Sequence, residues 1–366
     1  MVRQSMLCIP MPPANGQHGQ ATDKPPVNTV SAYRSSDRRD STPTRRAVLA
    51  AGLAWCSQPW AADAQAGAES RQHLGRIWTV PQGTKLVLRP DVLGLMLPDL
   101  VDAIGDWLIP MGSLVTIQLA GGQHQVNKAI AYRGRDGARV RILGSPADPA
   151  GCTLLWAQPG DLFFAGAGVV LGMVDGFTIA HAAERRRGNG CAFVAEASGH
   201  ITCGPNIRVQ NFYYGFQARL GGSIKCQGTQ CTGAGDAAYF AFNGGHLDAA
   251  NAVAEGARDD PRRLGSGFVA EYGGTINAEG ATARRNALAG FHALSNGVIR
   301  AYGATAERNG RAGFLARTGG TIVAHGATAR NNCGPGVQVE GPHATFEAGR
   351  RSVADNDRES GVCNTP

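Results

Sequence analysis

From Gly267 onward, hydrophobic and polar residues alternate in a pattern that repeats. Phe268 and Ala270 alternate with Val269 and Glu271, Ile276 and Ala278 with Thr275 and Asn277, and Ala281 and Ala283 with Thr282 and Arg284. Three short runs of period two, separated by glycine or asparagine, read as three strands. The set recurs every 23 residues, as "GFVAEYGGTINAEGATARRNALA" from Gly267, "GFHALSNGVIRAYGATAERNGRA" from Gly290 and "GFLARTGGTIVAHGATARNNCGP" from Gly313. The same frame reaches back to "GFQARLGGSIKCQG" at Gly215 and "AFVAEASGHITCG" at Ala192. Between them, "AYFAFNGGHLDAANAVAEG" at Ala238 keeps the frame but carries six extra residues within "ARDDPRRLGS".

Self-similarity at a fixed short period marks a solenoid. A 23-residue unit is too short for two helices and their turns, and the leucine ladders of leucine-rich repeats are absent. Three strands per coil therefore predict an all-β parallel β-helix of about ten coils. With coils stacked about 4.8 Å apart, Phe216, Phe268, Phe291 and Phe314 should form one inner stack and Ile224, Ile276, Ile299 and Ile322 another. Asn286, Asn309 and Asn332 share one turn position, with Asn211 as an outlying member. A side-chain amide carries donors and an acceptor, so stacked asparagines can bond to one another and to exposed backbone. Cys203 and Cys226 also lie one period apart at an inward position, which brings them within disulfide range or leaves them as two buried thiols.

Ahead of the coils, Leu100, Val101, Ile104, Trp107 and Leu108 follow Pro98-Asp99 with the spacing of an amphipathic helix. Such a helix would cover the open end of the stack, where unpaired edges invite aggregation. "SLVTIQLAGG" from Ser113 reads as the first strand, and coils should continue to about Gly361.

Composition sharpens this picture. Fifty-one glycines with only 7% aromatics suit many tight turns between short strands, and 43% hydrophobic residues exclude disorder throughout. The formal charge is +7, but residues 1–46 hold seven Lys and Arg against three Asp and so supply four of it. The remainder is too dilute for a nucleic-acid patch. Residues 1–44 lack any hydrophobic period and read as disordered or as lying upstream of the true start. Residues 45–66 place Arg45-Arg46 before the apolar run Ala47–Ala54, with Ala64-Gln65-Ala66 as a cleavage site. This order resembles a twin-arginine export signal, and the apolar run is too short to span a bilayer. The expected mature chain starts near Gly67 and is periplasmic or secreted, without a transmembrane segment, with residues 67–94 as a linker and 95–366 as the β-helix. Beyond Cys8 and Cys56, seven cysteines remain, an odd number without a C-x-x-C, which argues against a zinc site or a disulfide framework.

The helix "DLVDAIGDWLIP", the strand "SLVTIQLAGGQHQV", the segment "DGARVRILG" and the 23-residue coils together resemble the right-handed parallel β-helix, pectin-lyase-like superfamily. The first three segments resemble β-helix proteins of phage tails and prophage regions, and the resemblance covers about residues 95–362. It implies a right-handed, single-stranded coil. It leaves function open, because the fold hosts lyases, hydrolases, epimerases, esterases, adhesins and spikes.

Polygalacturonase-like members carry an Asn-Thr-Asp triplet, a paired Asp and a Gly-His-Gly. Here the paired Asp is Asp259-Asp260, inside the insertion beside Pro261-Arg262-Arg263, where a solvated loop is expected. Pectate-lyase-like members use clustered acidic calcium ligands. Asp355 and Asp357 form a close acidic pair, too few ligands for calcium, so no cofactor is expected.

The outward ladders offer another constellation. Thr202, Lys225, Asp248, Asn277, Arg300 and Val323 form one, and His200, Ser223, His246, Thr275, Val298 and Thr321 its neighbour. Lys225, His246, Asp248 and Arg300 are the candidate catalytic residues, able to abstract a proton beside a uronate carboxylate or to neutralise that carboxylate. Asn277, Phe240, Phe242 and Tyr302, with Tyr213 and Tyr214 as further aromatics, are candidate substrate-binding residues. Phe240 and Phe242 should point outward, where they would mark a groove or lie beneath the inserted loop. A mixed set of charges is equally what any solvated solenoid face displays, and the ladder Arg284, Glu307, Arg330 exemplifies it. Two functions follow: an exported module that binds or displays at the envelope with a polysaccharide or surface glycan as partner, or a lyase of uronate-containing glycans.

Overall fold

The computed structural model describes residues 73–74, 77–79, 82–90, 96–182, 190–260 and 263–349. The predicted extension 1–44, the export signal 45–66 and the acidic pair Asp355 and Asp357 lie outside them. The described chain is a right-handed, single-stranded parallel β-helix of three sheets, two of nine strands and one of eleven. Nine coils give one strand to each sheet, and the eleven-stranded sheet gains one more at either end, Thr84–Leu88 and Thr345–Glu347; each sheet is named here for its inner side chains.

The aromatic sheet carries a continuous stack. Phe163, Phe193, Phe216, Tyr239, Phe268, Phe291 and Phe314 stand in register, all fully buried. Successive ring centroids are 4.6–5.0 Å apart, with planes within 12° of parallel. The coil pitch fixes this near face-to-face arrangement, since each ring sits one strand spacing above the last. The expected four-ring stack is thus seven rings long. In the isoleucine sheet, Ile201, Ile224, Leu247, Ile276, Ile299 and Ile322 align in the same way. The third sheet is lined by Cys231, Ala254, Ala283, Ala306 and Ala329, whose small side chains leave room for the rings opposite.

One ring differs from its neighbours. The hydroxyl of Tyr239 donates to the Thr229 carbonyl at 2.9 Å and lies 3.0 Å from Thr229 Oγ1. Thr229 is itself fully buried, at a position that Ala252, Ala281, Ala304 and Ala327 occupy in later coils. Tyrosine for phenylalanine is matched by threonine for alanine across the interior, as a buried hydroxyl requires.

Turn chemistry accounts for the glycine content. At the corner between the aromatic and isoleucine sheets, Leu220, Asn243, Tyr272, Ser295 and Thr318 all adopt positive φ, between 42° and 52°. The glycine two residues on is enforced by the coil below. A Cβ on Gly245 would meet the Ala218 carbonyl oxygen at 2.0 Å, and one on Gly297 the Ala270 oxygen at 2.1 Å.

The asparagine ladder forms at the corner between the alanine and aromatic sheets. Asn309 Oδ1 accepts from the Asn286 backbone N–H at 3.1 Å and from Asn286 Nδ2 at 2.9 Å, and Asn332 Oδ1 receives the same pair from Asn309 at 2.9 Å each. Asn211 is not a member. It has φ 64° and aligns with Arg285, Arg308 and Asn331, the left-handed position before the ladder, while Phe212, Ala234 and Ala257 precede Asn286 in the ladder itself.

Several boundaries differ from expectation. Thr84–Leu88, assigned to the linker, is the first strand of the isoleucine sheet and pairs with Val115–Leu119. The helix Leu97–Ile104 is inserted between these two strands, buries Leu97, Val101 and Ile104, and packs on Ile130–Ala131, the outermost strand of the aromatic sheet. Trp107 and Leu108 are not helical but pair with Trp78 and Thr79. The helix stops because Gly105 and Asp106 follow Ile104, and glycine forfeits helical propensity. Asp259–Asp260 and Arg263–Leu264 form a short antiparallel hairpin within the six-residue insertion. Cys203 and Cys226 are free, buried thiols, as are Cys152, Cys191 and Cys231. Cys333 is disulfide-bonded. Among the described residues no helix is long and apolar enough to cross a membrane.

Candidate functional site

The outer face of the isoleucine sheet carries both predicted polar ladders in the expected register. His200, Ser223, His246, Thr275, Val298 and Thr321 form one row, and Thr202, Lys225, Asp248, Asn277, Arg300 and Val323 the other. Strand alternation places them there, because the residues between them, from Ile201 to Ile322, are buried in the core. Lys225, His246 and Arg300 are exposed, and Asp248 and Asn277 are half-buried.

Hydrogen bonds tie neighbouring coils together across this face. Asp248 accepts from Asn277 Nδ2 at 2.9 Å and from Gln227 Nε2 at 2.6 Å. His246 Nδ1 lies 2.8 Å from Thr275 Oγ1. One coil pair earlier, His200 Nδ1 lies 2.8 Å from Ser223 Oγ, and its Nε2 lies 3.1 Å from Thr202 Oγ1. Partial burial, then the Lys225 cation, lower the His200 pKa below the usual imidazole value. Neither Lys225 nor Arg300 has an ion-pair partner among the described residues. Among those residues, moreover, no group of three or more His, Cys, Asp and Glu side chains is placed to hold a metal ion.

The predicted aromatic residues do not all join this face. Phe240 points outward from the aromatic sheet but is only 3% exposed, packed at 4.9 Å against Tyr214 and at 5.5 Å against Phe242. It is not an open sugar platform, because rings from the adjoining strand and from its own strand cover it. Phe242 lies at the corner, separated from His246 by the turn Asn243–Gly245, and meets Tyr272 edge-on at 5.4 Å. Tyr272 is 56% exposed and went unread in the sequence, where it occupies a turn position that holds leucine or asparagine in earlier coils. Tyr302 lies at the opposite corner of the isoleucine sheet, stacked on His325 at 5.6 Å. Lys225, His246, Asp248, Asn277 and Arg300 are therefore brought together, Phe242 borders them, and Phe240 is set apart. The ladder Arg284, Glu307, Arg330 behaves as a solvated face: Glu255 bonds Arg284 at 2.8 Å and Glu307 bonds Arg330 at 2.9 Å, with the arginines about half exposed. Such pairs contribute at most about 1 kcal/mol each.

No protein-family model matches the chain, and no curated protein matches it in sequence. The fold and the geometry of this face therefore carry the functional reading.

Proposed function

We propose that the protein is an exported β-helix module that holds an extended polar polymer, a cell-envelope glycan, along the outer face of its isoleucine sheet. The observation that carries this is the unbroken run Thr202, Lys225, Asp248, Asn277, Arg300, which offers one hydrogen-bonding group per coil on one face. A regular row of donors and acceptors suits a ligand that itself repeats. The paired arginines and apolar run at 45–54 support an extracytoplasmic setting, periplasmic or secreted. A lyase of uronate glycans is the second reading, favoured by the two cations Lys225 and Arg300, which have no salt bridge among the described residues. Against it, Asp248, which lies between them, is already held by Gln227 and Asn277.

The test is incubation of the full chain with neutral and uronate polysaccharides, following retention on the polymer and the ultraviolet absorbance of unsaturated products. Retention that Lys225→Ala and Arg300→Ala weaken, without product, supports the module. Product whose formation is spared by Phe242→Ala but abolished by Lys225→Ala, His246→Ala or Arg300→Ala establishes the lyase. Neither retention nor product overturns both.

A further inference from the structure

Two imidazole–hydroxyl pairs stand on the outer face, and they differ in a way that bears on chemistry. In both, Nδ1 lies 2.8 Å from a hydroxyl one coil on, Ser223 for His200 and Thr275 for His246. Among the described residues, only His200 of the two is anchored at its second nitrogen, by Thr202 Oγ1 at 3.1 Å. With Nε2–H donating to Thr202, Nδ1 is left as the acceptor of the Ser223 hydroxyl proton, the arrangement that activates a serine nucleophile. The sequence order explains the geometry: His200 and Thr202 are neighbours on one face of one strand, and Ser223 is paired directly with His200 across the coil boundary. Ser223 is half-buried, accessible yet fixed by its strand, and Lys225 follows on the same face with an exposed ammonium group.

We propose that Ser223 and His200 form a nucleophile–base pair that hydrolyses esters of short carboxylic acids presented at this face. Ser223 Oγ bonds to the acyl carbon as its proton passes to His200 Nδ1. The ester C–O bond then breaks, and the departing alcohol takes that proton. Water adds to the acyl-serine, giving one proton to His200 Nδ1; the acyl bond breaks, the carboxylic acid leaves, and the proton returns to Ser223. Lys225 stands where it neutralises the oxyanion of both tetrahedral stages. Thr202 is a positioning residue that selects the tautomer.

The inference goes beyond polymer binding, and its test needs no glycan. The full chain is treated with a fluorophosphonate probe and with 4-nitrophenyl acetate. The expected result is a stoichiometric adduct that peptide mass spectrometry places on Ser223, with ester turnover falling about 100-fold or more in Ser223→Ala and in His200→Gln. Thr202→Val should displace the pH profile of turnover, which a merely structural threonine would not do. Thr275→Ala should leave turnover within twofold. A wild-type chain that takes no probe on Ser223, or a Ser223→Ala chain that turns the ester over as fast as wild type, overturns the proposal. The adduct is read on the wild-type chain, so it decides even where a variant fails to fold. Loss of glycan retention with the adduct intact would sink polymer binding alone.

Discussion

Asn309 is the residue at which the repeat can be tested most directly. It is fully buried and makes four hydrogen bonds through its side chain. Oδ1 accepts from the Asn286 backbone N–H at 3.1 Å and from Asn286 Nδ2 at 2.9 Å, while Nδ2 donates to Asn332 Oδ1 at 2.9 Å and to the Ala283 carbonyl at 3.1 Å. Asn309→Ala strands the Asn286 N–H and leaves Asn286 Nδ2 only its long 3.4 Å bond to the Ala254 carbonyl. Each buried donor left unsatisfied costs about 1–3 kcal/mol, so the substitution should cost about 2–5 kcal/mol. Asn309→Asp should cost at least as much near neutral pH, because a carboxylate oxygen replaces Nδ2 opposite two acceptors. Urea denaturation followed by circular dichroism gives the total. Amide exchange over residues 286–332 then shows whether the loss is local, as nearest-neighbour energetics of a solenoid require. A cost for Asn309→Ala below about 0.5 kcal/mol, with exchange unchanged at Asn286, would refute the claim that the ladder holds this corner.

Three further outcomes follow. Tyr239→Phe and Thr229→Ala should each cost about 1 kcal/mol singly, while the double variant, which restores the Phe/Ala pairing of the later coils, should cost less than the sum, since replacing both partners of a buried hydrogen bond is nearly neutral. A double-mutant cycle by denaturation checks this, and strict additivity would contradict it. His292 is buried on the outer face of the aromatic sheet with Nε2 unpartnered among the described residues, and burial, then Arg317 and Arg311, push its pKa from 6.5 down to about 3. Above pH 6.5 it is neutral in both states. Below that the unfolded chain takes up a proton that the folded one refuses until about pH 3, so stability should fall across this window by up to about 1.4 kcal/mol per pH unit. His292→Gln should flatten that slope, and an unchanged slope would show that other groups govern it. Finally, burial raises the thiol pKa values of Cys152, Cys191, Cys203, Cys226 and Cys231, to about 11 at Cys152. All five should resist iodoacetamide in the folded chain and react after denaturation without reductant; rapid native labelling of any of them would contradict its placement.

Much of this protein was legible before its fold. A strand has period two and stacked coils superimpose equivalent residues, so one 23-residue frame dictated the phenylalanine and isoleucine stacks, the asparagine ladder and both rows of the polar face. Burial enforces these positions independently in every copy, and repetition exposes them. What the frame could not supply lies where coils differ or where partners come from distant segments. Thr84–Leu88 carries no copy of the repeat, and its role as first strand emerged only from its pairing with Val115–Leu119. Asn211 and Phe212 are neighbours in sequence, yet one residue of register separates a left-handed turn position from a ladder position.

For the candidate site the division is the same. Alternation sufficed to say that Lys225, His246, Asp248, Asn277 and Arg300 share a face, because that depends on local geometry alone. It could not say that Phe240 would be covered by Tyr214 and Phe242, that Thr229 would meet Tyr239 across the interior, or that His200 would be held at both nitrogens while His246 is held at one. Those contacts depend on side-chain size and rotamer across coils, and only the folded stack brings the atoms within reach of one another.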